Sequence, residues 1–308
     1  MVMNDGFNTK KRFEFTDITD KLLRVSAGSG GEPILIMGSE KTALMDCGMA
    51  YCGEGLVNNI KKELGDRKLD YVILSHTHYD HVGALPYLRK AWPDIVSFGA
   101  VYAKEVLEKE SALKRIEKMS EAAWIYYLKP ESKPKILMDG LKVDRTISEN
   151  DVISLGDEEL IVYETPGHTD CSLTLLLKPE QILFASESTG VYIRNSEMII
   201  GMLKSYSDTM ASIKKCRKIN AKYVISPHYG LVPEKAAELY WDYAENTTNL
   251  HKDFIFERIN KGASFEEIMK DYKKEFYSEI VADEQPVEAF LLNAQHMVQN
   301  LIKEFKEL

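Results

Sequence analysis

The sequence predicts a mixed α/β fold that ends in an all-helical extension. Three observations carry this. Over the first two-thirds, short apolar runs alternate with segments of helical spacing. One run, Tyr71-Val72-Ile73-Leu74, is continuous, the pattern of a strand buried on both faces. From about Pro233 onward only helical patterns remain.

The elements follow in order. Residues 22–26 and Ile34–Met37 read as paired strands around Gly28-Ser29-Gly30-Gly31. A glycine run can cradle phosphate, but this one precedes a strand rather than a helix, so it reads as a hairpin turn. Thr42–Met45 is a third strand and ends at Asp46-Cys47-Gly48. Residues 56–64 have helical apolar spacing and stop at Gly65. The strand at 71–74 delivers the chain into His76-Thr77-His78-Tyr79-Asp80-His81. A helix is expected from near Val82, carrying Leu85 and Leu88, and then a strand at 95–98. Residues 101 to 129 read as a helical insertion, extending to about 135, with Val106, Leu107, Leu113, Ile116, Met119 and Ala123 on one face. Trp124, Tyr126 and Tyr127 close it, and Pro130 and Pro134 end it. Its aromatic residues suit either an outer helix pair packed on the sheets or a lid over an apolar substrate. Strands return at Val152–Ser154, 160–164, 172–177 and 182–185. A helix at 206–219 and a strand at Tyr223–Ser226 lead into Pro227-His228. The last helix is the clearest, with Val287, Phe290, Leu291, Ala294, Met297, Leu301 and Ile302 in one stripe after Pro286. The change of pattern divides the chain into residues 1–232 and a helical extension, 233–308.

The chain has 308 residues, of which 44% are hydrophobic, enough for a sizeable core. The balance of 39 basic and 48 acidic residues, a net charge of −9, argues against nucleic acid as the main partner. The four cysteines form no Cys-x-x-Cys pair and read as free thiols of a reducing cytoplasm. The start, Met1-Val2-Met3-Asn4-Asp5-Gly6, leads to Lys10-Lys11-Arg12 with no apolar signal region after it. No stretch reaches the roughly 18 apolar residues of a membrane span. A cytoplasmic protein with a small-molecule partner and no membrane is expected. The apolar stripes of the extension also fit a homodimer interface.

Five of the seven histidines concentrate in three places. Imidazole and carboxylate are the usual ligands of zinc, iron and manganese. Side chains two apart in an extended segment point the same way, so His76 and His78 can share one ion. Asp80 and His81 lie where the chain turns into a helix and can face a second ion. His168, in Thr165-Pro166-Gly167-His168-Thr169, and His228, in Pro227-His228-Tyr229, each follow a strand and a proline. Both can therefore sit at one sheet edge. His251 and His296 lie on helices and read as packed or surface residues.

These residues resemble the metallo-β-lactamase superfamily, whose motif is His-x-His-x-Asp-His. The resemblance covers roughly residues 20–230. Asp46, in Leu44-Met45-Asp46-Cys47-Gly48, looks like the family's early Asp at a strand end, which supports the ligand loop. The stretch around His168 matches the third motif, and Pro227-His228 the last. The family's bridging Asp has no counterpart; in Leu183-Phe184-Ala185-Ser186-Glu187-Ser188 the position is held by Glu187, one methylene longer. The resemblance implies a four-layer αββα sandwich. It implies one ion held by His76, His78 and His168, another by Asp80, His81 and His228, and Glu187 bridging.

A dinuclear hydrolase follows from this resemblance. Two divalent ions, zinc, iron or manganese, lower the pKa of a shared water and polarise the electrophile. The expected reaction is cleavage of an ester, thioester, lactone or phosphodiester by a bridging hydroxide. Asp80 and His81 hold the activated water, and Asp80 also handles a proton. Tyr192 and Tyr229 are candidate proton donors to the leaving group by position alone. The helical extension is similar in kind to those of glyoxalase II-like and other thioesterase-type branches. The Glu187 substitution leaves open a di-iron redox or regulatory protein with little hydrolytic activity.

Overall fold

The computed structural model describes residues 19–194 and 197–306. The N-terminal stretch expected to hold no signal sequence, with Lys10-Lys11-Arg12, lies outside the described residues.

The chain opens with β1 (Leu22–Arg24), β2 (Ile34–Met37) and β3 (Thr42–Met45), joined antiparallel in series. Helix α1 (Gly53–Leu64) buries Leu56, Ile60 and Leu64 at every fourth position and ends at Gly65 with a φ of 57°. It returns the chain to β4 (Tyr71–Ile73), which lies parallel to β3. The short helices α2 (Tyr79–Val82) and α3 (Leu85–Ala91) precede β5 (Val96–Ala100). Helices α4 (Val101–Leu107) and α5 (Glu110–Leu128) precede β6 (Arg145–Ile147). These six strands form one sheet in sequence order. A parallel strand needs a crossover, and α1 and the α2–α3 and α4–α5 pairs provide them. Val72, Ile73 and Leu74 are fully buried, as their unbroken apolar run requires. Each such side chain contributes about 1.5–3 kcal/mol by leaving water, which anchors the strand that delivers the histidine cluster.

The second sheet contains β7 (Val152–Ser154), β8 (Glu159–Glu164), β9 (Leu173–Lys178) and β10 (Ile182–Phe184). A separate hairpin, β11 (Val191–Arg194) and β12 (Glu197–Ile199), comes next, then α6 (Tyr206–Arg217). β13 (Tyr223–Ser226) and β14 (Gly230–Leu231) complete the sheet in the order β14-β13-β10-β9-β8-β7. β9 runs antiparallel to both β8 and β10, and β13 runs parallel to β10. The C-terminal ends of β8, β10 and β13 therefore share one edge. The chain leaves that edge toward His168, Glu187 and His228. The chain closes with α7 (Glu234–Ala237), α8 (Tyr240–Asn260), α9 (Phe265–Phe276), α10 (Glu279–Glu284) and α11 (Val287–Lys306). No described helix is long and apolar enough to cross a membrane.

Two compact units emerge. The first comprises Met1–Glu164, Leu173–Ala185 and Ala221–Pro233 and contains both six-stranded sheets. The second comprises Thr165–Ser172, Ser186–Asn220 and Glu234–Leu308, so it takes in two segments of the strand-rich part as well as the C-terminal helices.

Within the first unit, the expected helix from Val82 starts earlier, at Tyr79, and breaks at Gly83-Ala84 before α3. The insertion divides at Glu108-Lys109 into α4 and α5. Trp124 and Tyr127 of α5 pack with Tyr79 of α2 on Met49, Tyr51 and Cys52, and the Tyr51 and Tyr127 rings stack 5.2 Å apart. Those two aromatics therefore pack the insertion down, while Tyr126 stays 54% exposed.

The second unit is tied by Glu304 of α11, whose carboxylate accepts from the first-turn N–H groups of Tyr206 and Ser207, each at 2.8 Å. Buried His251 of α8 shares a hydrogen bond with the Tyr272 hydroxyl and stacks on Phe276 at 3.9 Å. His251 is thus a packed residue, and His296 is exposed. Burial pushes His251 down to about 3, against about 6.5 for an unfolded chain. Below pH 6.5 the unfolded chain takes up a proton that the folded chain refuses. This contribution to stability is present in full above about pH 6.5 and declines as pH falls toward 3. His251→Gln should flatten the pH dependence of urea-unfolding stability between pH 6.5 and 4 by up to about 1.4 kcal/mol per pH unit. An unchanged slope would show that His251 does not titrate on unfolding.

Candidate metal centre

In the first unit the site is built around Asp46, at the end of β3. Its φ of 56° is left-handed, a conformation that Asp tolerates. Its N–H donates to Ile73 O at 2.9 Å, which holds it beside the exit of β4. The carboxylate accepts three hydrogen bonds at 2.8 Å. Oδ1 accepts from Ser75 N, and Oδ2 accepts from the Ser75 hydroxyl and from His81 Nδ1. The Ser75 hydroxyl has one proton and gives it to Asp46, so its oxygen accepts from His76 Nδ1 at 3.0 Å. His76 and His81 are both thereby held with Nδ1 protonated and Nε2 as the ligand atom.

The other donors gather beside them. The His76 ring lies 4.7 Å from the His78 ring and 4.1 Å from the His81 ring. The His81 and His228 rings are 5.1 Å apart. Asp80 Oδ2 is 3.7 Å from His81 Nε2 and 3.8 Å from His228 Nε2. These separations exceed a hydrogen bond. They approach the spacing of about 3.3–3.5 Å between donors sharing a tetrahedral ion at 2.0–2.1 Å. The donor set and its spacing therefore fit divalent metal, and the cluster is compatible with a two-metal centre. His76 and His81 are buried, while His78, Asp80 and His228 remain half-buried, open to an incoming ligand.

In the second unit His168 follows Gly167, whose φ is 134°. The His168 N–H donates to Ser188 Oγ at 2.9 Å. Its Nδ1 lies 2.9 Å from Gly201 O, a carbonyl that can only accept, so this imidazole too presents Nε2. Nε2 is 3.2 Å from Glu187 Oε2. Thr165 donates to Ser186 Oγ at 2.9 Å, which ties the two ligand loops together, and Ser212 of α6 donates to Pro166 O at 2.7 Å, which holds the His168 loop to that helix. Tyr192 is buried and stacks with Tyr243 at 6.4 Å. Tyr229, in the first unit, is buried with its ring 6.4 Å from that of His228.

Sequence reasoning missed Ser75, Gly201 and Gly31. Ser75 was discoverable, since it directly precedes the cluster. Gly201 stands 33 positions from His168 with no local pattern to mark it. Gly31 was read as part of a turn alone, whereas its N–H donates to Asp80 O at 2.9 Å.

The model of the metallo-beta-lactamase superfamily matches residues 31–228. The metallo-beta-lactamase fold-containing protein ST1585 of Sulfurisphaera tokodaii is 28% identical over 208 residues, 66% of this chain and 74% of that protein. The crystal structure of ST1585 aligns with a TM-score of 0.56 at 23% identity, covering 90% of this chain and 97% of that one, which shows the fold. Coenzyme F420H(2) oxidase of Methanothermobacter marburgensis is 26% identical over 163 residues, 52% of this chain but 34% of that protein. Acyl-coenzyme A thioesterase MBLAC2 of Gallus gallus is 24% identical over 198 residues, 60% of this chain and 65% of that protein. With its two six-stranded sheets, its histidine–aspartate cluster and a family match over most of its length, this chain belongs to the metallo-beta-lactamase superfamily.

Proposed function

We propose that the chain is a dinuclear metal-dependent hydrolase that cleaves an ester, thioester, lactone or phosphodiester bond of a small molecule. The observation that carries this is the Asp46–Ser75 network, which aims Nε2 of both His76 and His81 as ligand atoms. In this reading, as the family resemblance implies, His168 completes the position of His76 and His78, Asp80, His81 and His228 hold the other ion, and Glu187 bridges the two. Two divalent ions, zinc, iron or manganese, would supply Lewis-acid polarisation and lower the pKa of water toward neutrality. The chain's own part is to hold the donors and to receive a proton on Asp80, whose carboxylate faces His81 and His228. The thioesterase relative supports hydrolysis. The net charge of −9 favours a small molecule over nucleic acid. Four buried free cysteines fit a cytoplasmic setting.

A second reading, a di-iron redox or regulatory protein, draws on Glu187 and on the oxidase relative. Metal analysis combined with a panel of generic ester, thioester, lactone and phosphodiester substrates separates the two. The expected result is two metals per chain and turnover of one class that chelation abolishes. A redox-active di-iron centre without turnover would replace the first reading by the second.

A further inference from the structure

The glycine run between β1 and β2 does more than reverse the chain. Gly31 N–H donates to Asp80 O at 2.9 Å, and the next amide, Glu32 N–H, donates to Pro227 O at 2.7 Å. Two consecutive amides thus hold the backbones of two ligand segments, one carrying Asp80 and His81, the other leading into His228. The contact is also steric. A Cβ on Gly31 would come within 2.4 Å of His81 Nδ1 and 2.5 Å of its Cε1. That ring is fully buried and its Nδ1 is bonded to Asp46, so it cannot step aside without breaking that bond. Gly30, with a φ of 115°, makes the same close approach to Asp80 O, 3.0 Å from where its Cβ would stand.

The loop is itself fixed from behind. Glu32 is a buried carboxylate, 3% exposed. Burial of a charge is costly unless it is paired, and Arg24 Nε donates to it at 2.8 Å while the Ser26 hydroxyl donates to the same oxygen. Arg24 is the last residue of β1, so the sheet supports Glu32, and Glu32 supports the loop. These contacts end on Asp80, His81 and Pro227.

We infer that Gly31 and Glu32 form a positioning element for the Asp80–His81–His228 metal position and not for the position that holds His76 and His78. The inference rests on the two-metal reading above. Ligand geometry at one position depends on the glycine loop, and the other position takes its orientation from Ser75.

Metal stoichiometry and stepwise zinc affinity, measured by chelator competition, test this without any substrate, with circular dichroism as the control for folding. The wild type should bind two zinc ions. Gly31→Ala should keep one near wild-type affinity and weaken the other at least tenfold. Glu32→Gln removes the charge partner of Arg24 without adding a Cβ at position 31. It should weaken the same step by a smaller factor, and it decides the matter if Gly31→Ala does not fold. Two wild-type affinities in the variants, or equal weakening of both steps in folded protein, would overturn the inference alone. A wild type that binds fewer than two ions would sink the two-metal reading and this inference with it.

Discussion

Replacing both His76 and Asp80 by alanine should strip bound metal from the protein and abolish turnover. In the proposed arrangement the two residues serve different ions, so the double change opens both positions at once. Loss of a group that merely supports a ligand typically lowers metal affinity or activity 10–100-fold, and removal of a direct ligand should exceed that. The proposed hydrolysis needs metal to acidify water, because the described cluster supplies acceptors and imidazoles already committed to ligand geometry. Elemental analysis after dialysis and hydrolysis of the best panel substrate measure the two effects. Asp80 is half-buried and should be tolerated structurally, whereas His76 is buried and its truncation leaves a cavity, so the fold is checked by circular dichroism. Turnover retained in the folded double variant would remove the hydrolase reading.

Asp46→Asn should weaken metal binding about 10–100-fold while leaving the volume of the side chain almost unchanged. Both carboxylate oxygens accept from donors: Ser75 N at one, Ser75 Oγ and His81 Nδ1 at the other. An amide offers one acceptor and one donor. Whichever way it turns, its NH2 group faces an N–H or O–H that had been satisfied, at a cost of about 1–3 kcal/mol. Placed against Oδ2's partners, it also removes the group that holds the His81 tautomer. Placed against Ser75 N, it disturbs the residue that orients His76. Chelator competition should therefore find both zinc steps weakened, in contrast to the single step expected of Gly31→Ala. Wild-type affinity in Asp46→Asn would show that hydrogen-bond polarity at Asp46 does not set the ligand geometry.

Much of the fold was legible because the relevant signals are local. Ile34–Met37, Thr42–Met45, Val152–Ser154 and Tyr223–Ser226 are strands at the residues expected, each a short apolar run bounded by turn residues. β6 and β14 were not legible. β6 has two exposed residues of three, and β14 is two residues long, so neither carries a periodic pattern. The helix after the histidine cluster begins at Tyr79, three residues before the Val82 that apolar spacing predicts. Its first turn is built from Tyr79, Asp80 and His81, residues that function selects and helix propensity does not reveal. The packing of Trp124 and Tyr127 against Tyr79 was equally hidden, since aromatic residues on a helix look the same whether they cover a substrate or a neighbouring turn.

From the sequence alone came the α/β order, the helical C-terminal region and the donor set His76, His78, Asp80 and His81, because strand alternation, helical spacing and a six-residue motif are all short-range properties. The tertiary structure alone decided which distant loops serve those donors. Sheet order puts the ends of β3 and β4 side by side, so Asp46 meets Ser75 and His81 across 29 and 35 positions of chain. It also lays Gly31 against His81 across 50. Such pairings depend on strand register and on backbone close approach, which are set by the whole packed sheet and leave no periodic mark on the residues that take part.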